Sequence, residues 1–408
     1  MQFELYLALM FSFLRGKFEI NFFIRMIQTL IDTIKNLQGT QLILPVIFAT
    51  LFLIRMLFLF LFTGRILFRK KITPTDPQPV SLIYTVRNEE IRLKNNLAPV
   101  LSINDVDFEV IVVDNFSQDN SFQVLGLLRG RSDRLKVSTM HQETRFSTKM
   151  AQNLALKAAT HDWILPVPIS YANATPEWIS GISGALGNDK TVVVSYSSAQ
   201  NAKGFINRIY RIENYLSFVK SVGYILNGIP FIYSEENVAF QKKKYFELGG
   251  HGLKISEQYA NLELLINFFI RKKTTTILFQ SETAIKKSED LIWNDYLDIL
   301  KKNLRIEKHL SARKKAVLAF DETTKLLFPA AIIAVMIFAF ELWPIIAVLL
   351  FIMFASRLVI IKLMQNRLNE RKIFLSSLLY DLIVPYFKLF YRWYFNNRRE
   401  KQKWKVKA

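Results

Sequence analysis

Two stretches decide the fold: PVSLIYTVRNEE (79–90) and FEVIVVDNFSQD (108–119). Each opens on a short run rich in β-branched residues, Val80 to Thr85 and Glu109 to Val113, and ends in a polar loop. The segment between them, Ile91 to Leu101, has a helical pattern. That β-α-β order predicts an α/β protein with a doubly wound, mostly parallel sheet whose ligand site lies at the carboxyl edges of its strands. A solvated Asp114 in a purely structural turn would fit the second loop as well.

The rest of the chain places this domain against a membrane. Its 408 residues are 51% hydrophobic, yet 22% are charged, which suits a soluble domain joined to membrane segments. The absence of cysteine excludes a disulfide framework and a thiolate metal site. A net charge of +20 is compatible with nucleic acid, anionic lipid or phosphorylated substrates, so its placement decides. Much of it flanks apolar runs, and the tail 392–408 mixes Arg398, Arg399, Lys401, Lys403 and Lys405 with Trp393 and Trp404 directly after one. This favours a lipid surface over nucleic acid as partner.

Residues 42–64 hold a nearly unbroken apolar run, Leu42 to Phe62, long enough at about 1.5 Å per residue to cross a membrane. Arg55 near its middle needs to snorkel or to pair with another helix. Region 1–41 reads as amphipathic and interfacial. The cluster Arg65, Arg69, Lys70 and Lys71 after the span puts the central domain, 79–315, on the cytoplasmic side. Residues 326–363 read as a transmembrane helical hairpin turning at Glu341 to Pro344, and 373–391, with Asp381, Pro385 and Lys388, as an interfacial or re-entrant helix.

The order VSLIYTVRNEE, EVIVVDNFSQDNS, KMAQNLALKAATHDWIL and a Pro-Glu-Trp-Ile block resembles the inverting family 2 glycosyltransferases, in particular the bacterial membrane-anchored branch. The likeness runs from about Pro79 to Lys315 and implies a GT-A, Rossmann-like fold in the bacterial inner membrane. It implies a nucleotide-sugar donor, such as a UDP-sugar, and a lipid-linked or polysaccharide acceptor of the cell envelope. It also places Thr85, Arg87 and Glu89 around the nucleobase and Asp114 on the uracil or ribose, where a carboxylate accepts strong hydrogen bonds. Lys149 falls where the family has a diphosphate lysine, although an exposed lysine at a helix start would look the same.

The chain also departs from the family. The Asp-x-Asp that holds Mg²⁺ or Mn²⁺ in the resembling enzymes falls on Pro168-Ile169-Ser170, and no Asp or Glu lies between Asp162 and Glu177. Pro168 and Ser170 thus replace the usual aspartates, and the expectation is that no divalent cofactor is bound. On the acceptor side Asn237 to Phe240, Gly249 and Gly250 match, and Glu257 remains, but the general-base aspartate reads Gln258, which cannot take a proton. Glu263 supplies a carboxylate under another register. Of the family's Gln-x-x-Arg-Trp motif, KNLRI (302–306) keeps Arg305. Two functions follow. One is a transferase in which Lys149, Arg145 or Arg208 stabilises the leaving diphosphate. The other is a noncatalytic relative acting as partner or regulator in an envelope polysaccharide system.

Overall fold

The computed structural model describes residues 40–70, 72, 77–104, 106–143, 146–171 and 175–397. The readings of residues 1–39 and 398–408, and of Arg145, lie outside these.

Strands β1 (Val80–Val86), β2 (Phe108–Asp114), β3 (Leu135–Thr139), β4 (Trp163–Pro166), β5 (Val192–Val194), β6 (Ser197–Ala199), β7 (Val238–Gln241), β8 (Thr275–Ile277) and β9 (Ile285–Lys287) form two sheets. Seven lie in one sheet, in the order β3-β2-β1-β4-β7-β5-β8, and β6 pairs with β9 in the other. β1, β2, β3 and β4 run parallel, as the β-α-β reading requires, with helical segments on the connections between them. Alternate residues feed opposite faces. Leu82, Tyr84, Val110 and Val112 enter one core, while Ile83, Ile111 and Val113 enter another.

β7 runs antiparallel to both β4 and β5, so the sheet is mixed. This reversal brings the residues preceding β7 to the carboxyl end of β4. Asn237 anchors the junction in a left-handed backbone conformation with φ 60°. Its side-chain amide donates to the carbonyls of Tyr196 (2.8 Å) and Thr283 (2.9 Å) and accepts from the Trp178 indole (2.9 Å). All three bonds are buried, which explains why an asparagine stands here: it satisfies several polar groups from one side chain.

The long helices are α1 (Thr40–Phe58), α2 (Phe205–Leu226), α3 (Trp293–His309), α4 (Ala312–Phe338), α5 (Trp343–Arg367) and α6 (Phe374–Asn397). Among the described residues three stretches are long and apolar enough to cross a membrane: Ile43–Leu67, Phe340–Arg367 and Phe374–Tyr394. Of the first arm of the expected hairpin, Leu326 to Leu342, the part up to Phe338 lies within α4, a helix that is not one of them. A short 3₁₀ turn, Phe340–Leu342, separates α4 from α5, close to the expected break.

The described residues form two compact units, 40–57 with 321–356, and 58–320 with 357–397. The first packs Phe48 and Phe52 against Phe328, Val335 and Ile346. Within it Arg55 is ion-paired to Asp321 at 2.7 Å and donates to the Thr324 hydroxyl at 3.3 Å. The costly charge in the apolar run is therefore neutralised by another helix.

In the second unit the π-helical turn Leu59–Gly64 lies so close to α2 that a Cβ on Gly223 would overlap the Phe62 carbonyl. Helix α6 docks on the α/β domain through polar side chains. The Tyr380 hydroxyl (2.6 Å) and Lys388 ammonium (2.7 Å) donate to buried Glu213, and Arg392 donates to Glu307 at 2.8 Å. Its other face leaves Leu375, Leu379, Leu382, Ile383, Phe390 and Trp393 exposed at helical spacing.

Candidate active site

The loops after β1 and β2 meet at the carboxyl edge of the sheet. Asp114, the last residue of β2, is buried, and its carboxylate accepts from the Ser117 hydroxyl, the Ser117 amide (3.3 Å) and the Thr139 hydroxyl (3.3 Å). The Ser117 hydroxyl also accepts from the Asn88 amide at 2.9 Å, and the Asn88 side chain accepts from the Gln118 amide at 2.8 Å. Ser117 therefore joins Asp114 to the β1 loop. Arg87 pairs with Glu143 at 3.1 Å. Glu89 pairs with Arg92 at 2.8 Å, and burial raises its pKa against that arginine's pull. Thr85 is half-buried on β1 opposite Val113. Beside Asp114, the buried Asn115 holds a side-chain oxygen with no hydrogen-bond partner, a group the sequence did not single out.

Next along the edge lies the turn Pro168 to Tyr171, closed by the Tyr171 amide on the Pro168 carbonyl at 3.2 Å. Here Ser170 is buried, the Ile169 carbonyl accepts from Asn96 (2.7 Å), and the Ser170 carbonyl accepts from the Ser288 amide (3.1 Å). Tyr171 bridges Lys287 in antiparallel fashion, so the end of β9 crosses the turn. The Tyr171 hydroxyl donates to Glu236 at 2.5 Å. This donor set does not fit a divalent cation. It presents a proline, a buried serine and carbonyls that already accept from Asn96, Ser288 and Tyr171.

A positive charge stands here all the same. The Lys287 ammonium lies 3.6 Å from Glu289 and 4.5 Å from the centre of the Tyr210 ring. Burial works against its charge, but Tyr210, Glu236 and Glu289 outweigh it and raise its pKa.

The acceptor-side residues gather around the segment 254–263. Lys149 is buried with its ammonium donating to the carbonyls of Lys254 (2.7 Å) and Glu257. Burial lowers its pKa, opposed by Glu257, Glu263 and Glu235. Glu257 meets His309 at 3.1 Å and Arg305 at 3.9 Å. Burial would raise its pKa, but bonds from His309 and the Tyr259 amide, with Arg305 nearby, hold it below the usual value. Gln258 is exposed.

Glu263 opens a helix, Leu262–Phe269, and is buried beside Glu235. Burial and this neighbouring carboxylate raise the Glu235 pKa well above its usual range. Glu235 accepts from Gln152 (2.8 Å) and the Leu262 amide (2.6 Å), which joins the Lys149 helix to this group. Lys302 balances the carboxylates. Burial opposes its charge, but Glu263, Glu236 and Glu235 raise its pKa. Glu236, Lys302, Asn214, Ser217 and Asn303 line a cavity of about 40 Å³, room for ordered water. Arg208 is exposed on α2. Glu235, Glu236, Lys287 and Lys302 are absent from the sequence-derived set. The signal for the first two was the Ser-Glu-Glu run directly before Asn237.

The mixed, mostly parallel seven-stranded sheet is of GT-A type. Residues 81–246 match the family described as Glycosyl transferase family 2, and the chain carries a domain of that family there. Among solved structures it is similar to the mannosyltransferase PcManGT from Pyrobaculum calidifontis in complex with GDP-Man and Mn²⁺. That likeness has a TM-score of 0.50 and 14% identity, and covers 84% of this chain and 98% of that one. At this identity the likeness is one of fold. S. aureus TarS 1–349 matches with a TM-score of 0.39 and 15% identity, over 79% of this chain and 92% of the other. No curated protein sequence matches the chain.

Proposed function

We propose that the chain is a membrane-anchored glycosyltransferase of the bacterial inner membrane. It takes a sugar from a uridine diphosphate donor and passes it, at the cytoplasmic face, to a lipid-linked or polysaccharide acceptor of the cell envelope. The observation that carries this reading is the joining of the β1 and β2 loops through Asp114, Ser117 and Asn88, at the edge where a GT-A type sheet receives its nucleotide. Asp114 takes the ribose or uracil, with Thr85, Arg87 and Glu89 closing around the base. The acceptor hydroxyl attacks the anomeric carbon and its proton passes to a carboxylate as the diphosphate leaves. Glu263, in the buried pair with Glu235, fills that role, with Glu257, held by Arg305, as the alternative. Helix α6 lies along the membrane surface, because one face is tied to Glu213 and Glu307 while the other presents apolar residues outward.

A second reading, a noncatalytic partner in an envelope polysaccharide system, is favoured by Lys149 and Glu257. Both are tied into the fold by carbonyls, His309 and Arg305. Membranes containing the protein, supplied with a radiolabelled UDP-sugar and envelope acceptors, decide between them. The transferase incorporates label and loses it in Asp114→Ala. Nucleotide binding without incorporation supports the noncatalytic relative.

A further inference from the structure

The region where the resembling enzymes place a metal holds a fixed side-chain cation. We propose that the Lys287 ammonium, anchored beside Glu289 and Glu236 across the Pro168-Ser170 turn, meets the donor diphosphate directly in place of a divalent cation. This rests on the reading of the sheet edge as a nucleotide-sugar site.

Position is the first argument. β9 ends at Lys287, which bridges Tyr171, and the next residue donates its amide to Ser170. The lysine is thereby set against the turn that carries the Asp-x-Asp in the resembling enzymes. Anchoring is the second. A metal in such a site is held on one side by carboxylates and offers its other side to the diphosphate. Lys287 repeats that layout with Glu289 at 3.6 Å, Glu236 tied to Tyr171 nearby, and the Tyr210 ring 4.5 Å from the ammonium. Availability is the third. The Lys287 side chain keeps 13% of its surface exposed, whereas the Lys149 ammonium is spent on backbone carbonyls. A compact ammonium with three donors suits diphosphate oxygens, and a fixed positive charge stabilises the leaving group without an exchangeable ion. No atom is transferred to the lysine.

The test uses the full chain in detergent with chelator present, measuring calorimetric affinities for UDP and UMP in wild type, Lys287→Ala and Lys287→Arg. The expected result is a loss of about tenfold or more for UDP in Lys287→Ala, with little change for UMP. Lys287→Arg should keep most of the UDP affinity. Equal UDP affinity in wild type and Lys287→Ala overturns the inference while leaving the nucleotide site standing. An equal loss for UDP and UMP makes Lys287 a structural residue and also overturns it. If wild type binds neither nucleotide, the transferase reading fails and the inference fails with it.

Discussion

The β1–β2 edge and the centre of the sheet, where β4 meets β7, face the same side of the domain but are assembled differently. At the β1–β2 edge the polar groups come from loops directly following the strands, and Asp114, Ser117 and Asn88 lock together within about thirty residues of sequence. At the centre, Tyr171, Tyr210, Glu236, Lys287 and Lys302 arrive from separate elements, and one lysine stands beside the turn that lacks both carboxylates. A site of the first kind persists as long as its strand-loop sequence does. A site of the second kind can exchange one cation for another, because its geometry is set by an antiparallel strand and a crossing segment and not by a motif.

The largest expected effect falls on the support of the central region. Helix α2 carries Tyr210 and Asn214, and Gly223 lets it pass against Phe62. Gly223→Ala forces a Cβ into backbone, which cannot yield as a flexible side chain would. A loss of about 3 kcal/mol or more is expected in chemical denaturation. At the β1–β2 edge, Asp114→Ala removes the group that joins both loops and should weaken nucleotide binding about 100-fold, close to 2.7 kcal/mol, by calorimetry. A small effect there would remove the contrast between the two regions. Tyr171→Phe takes one hydrogen bond from Glu236 and should cost about 1–2 kcal/mol of stability.

A pH-dependent effect lies at the opposite ends of β1 and β2. There Glu109 accepts from Ser81 (2.5 Å) and the Thr160 amide (2.6 Å) and pairs with Lys136 (2.6 Å). Burial opposes its charge, yet these partners outweigh it and lower the pKa from 4.5 to about 2. Because the folded pKa is depressed, the stabilisation is present above about pH 4.5 and is lost as pH falls toward 2. In Glu109→Gln the acid limb of the stability curve should flatten over that window.

These differences also explain what could be read from the sequence. β1, β2 and the helical stretch between them were legible because burial on both faces of a parallel sheet leaves contiguous apolar runs. The same locality made Asp114 legible as a strand-end carboxylate. Asn88, Ser117 and Asn115 were not singled out, since a small polar residue in a loop has no pattern of its own. The meeting of Glu236 with Lys287 was illegible for a stronger reason: it depends on β7 reversing beside β4 and on β9 crossing the turn, both long-range pairings. Arg55 shows the intermediate case. Its need for a partner was evident from an apolar run, but Asp321 as that partner comes from a helix 266 residues away.

The central claim is that the donor is held without a divalent cation. Calorimetric titration of the wild-type chain with a UDP-sugar, once with Mn²⁺ and once with chelator, tests it directly. The account predicts the same affinity in both. A tenfold or greater gain with Mn²⁺, about 1.4 kcal/mol, would contradict it, because some other set of residues would then be holding the ion beside the diphosphate.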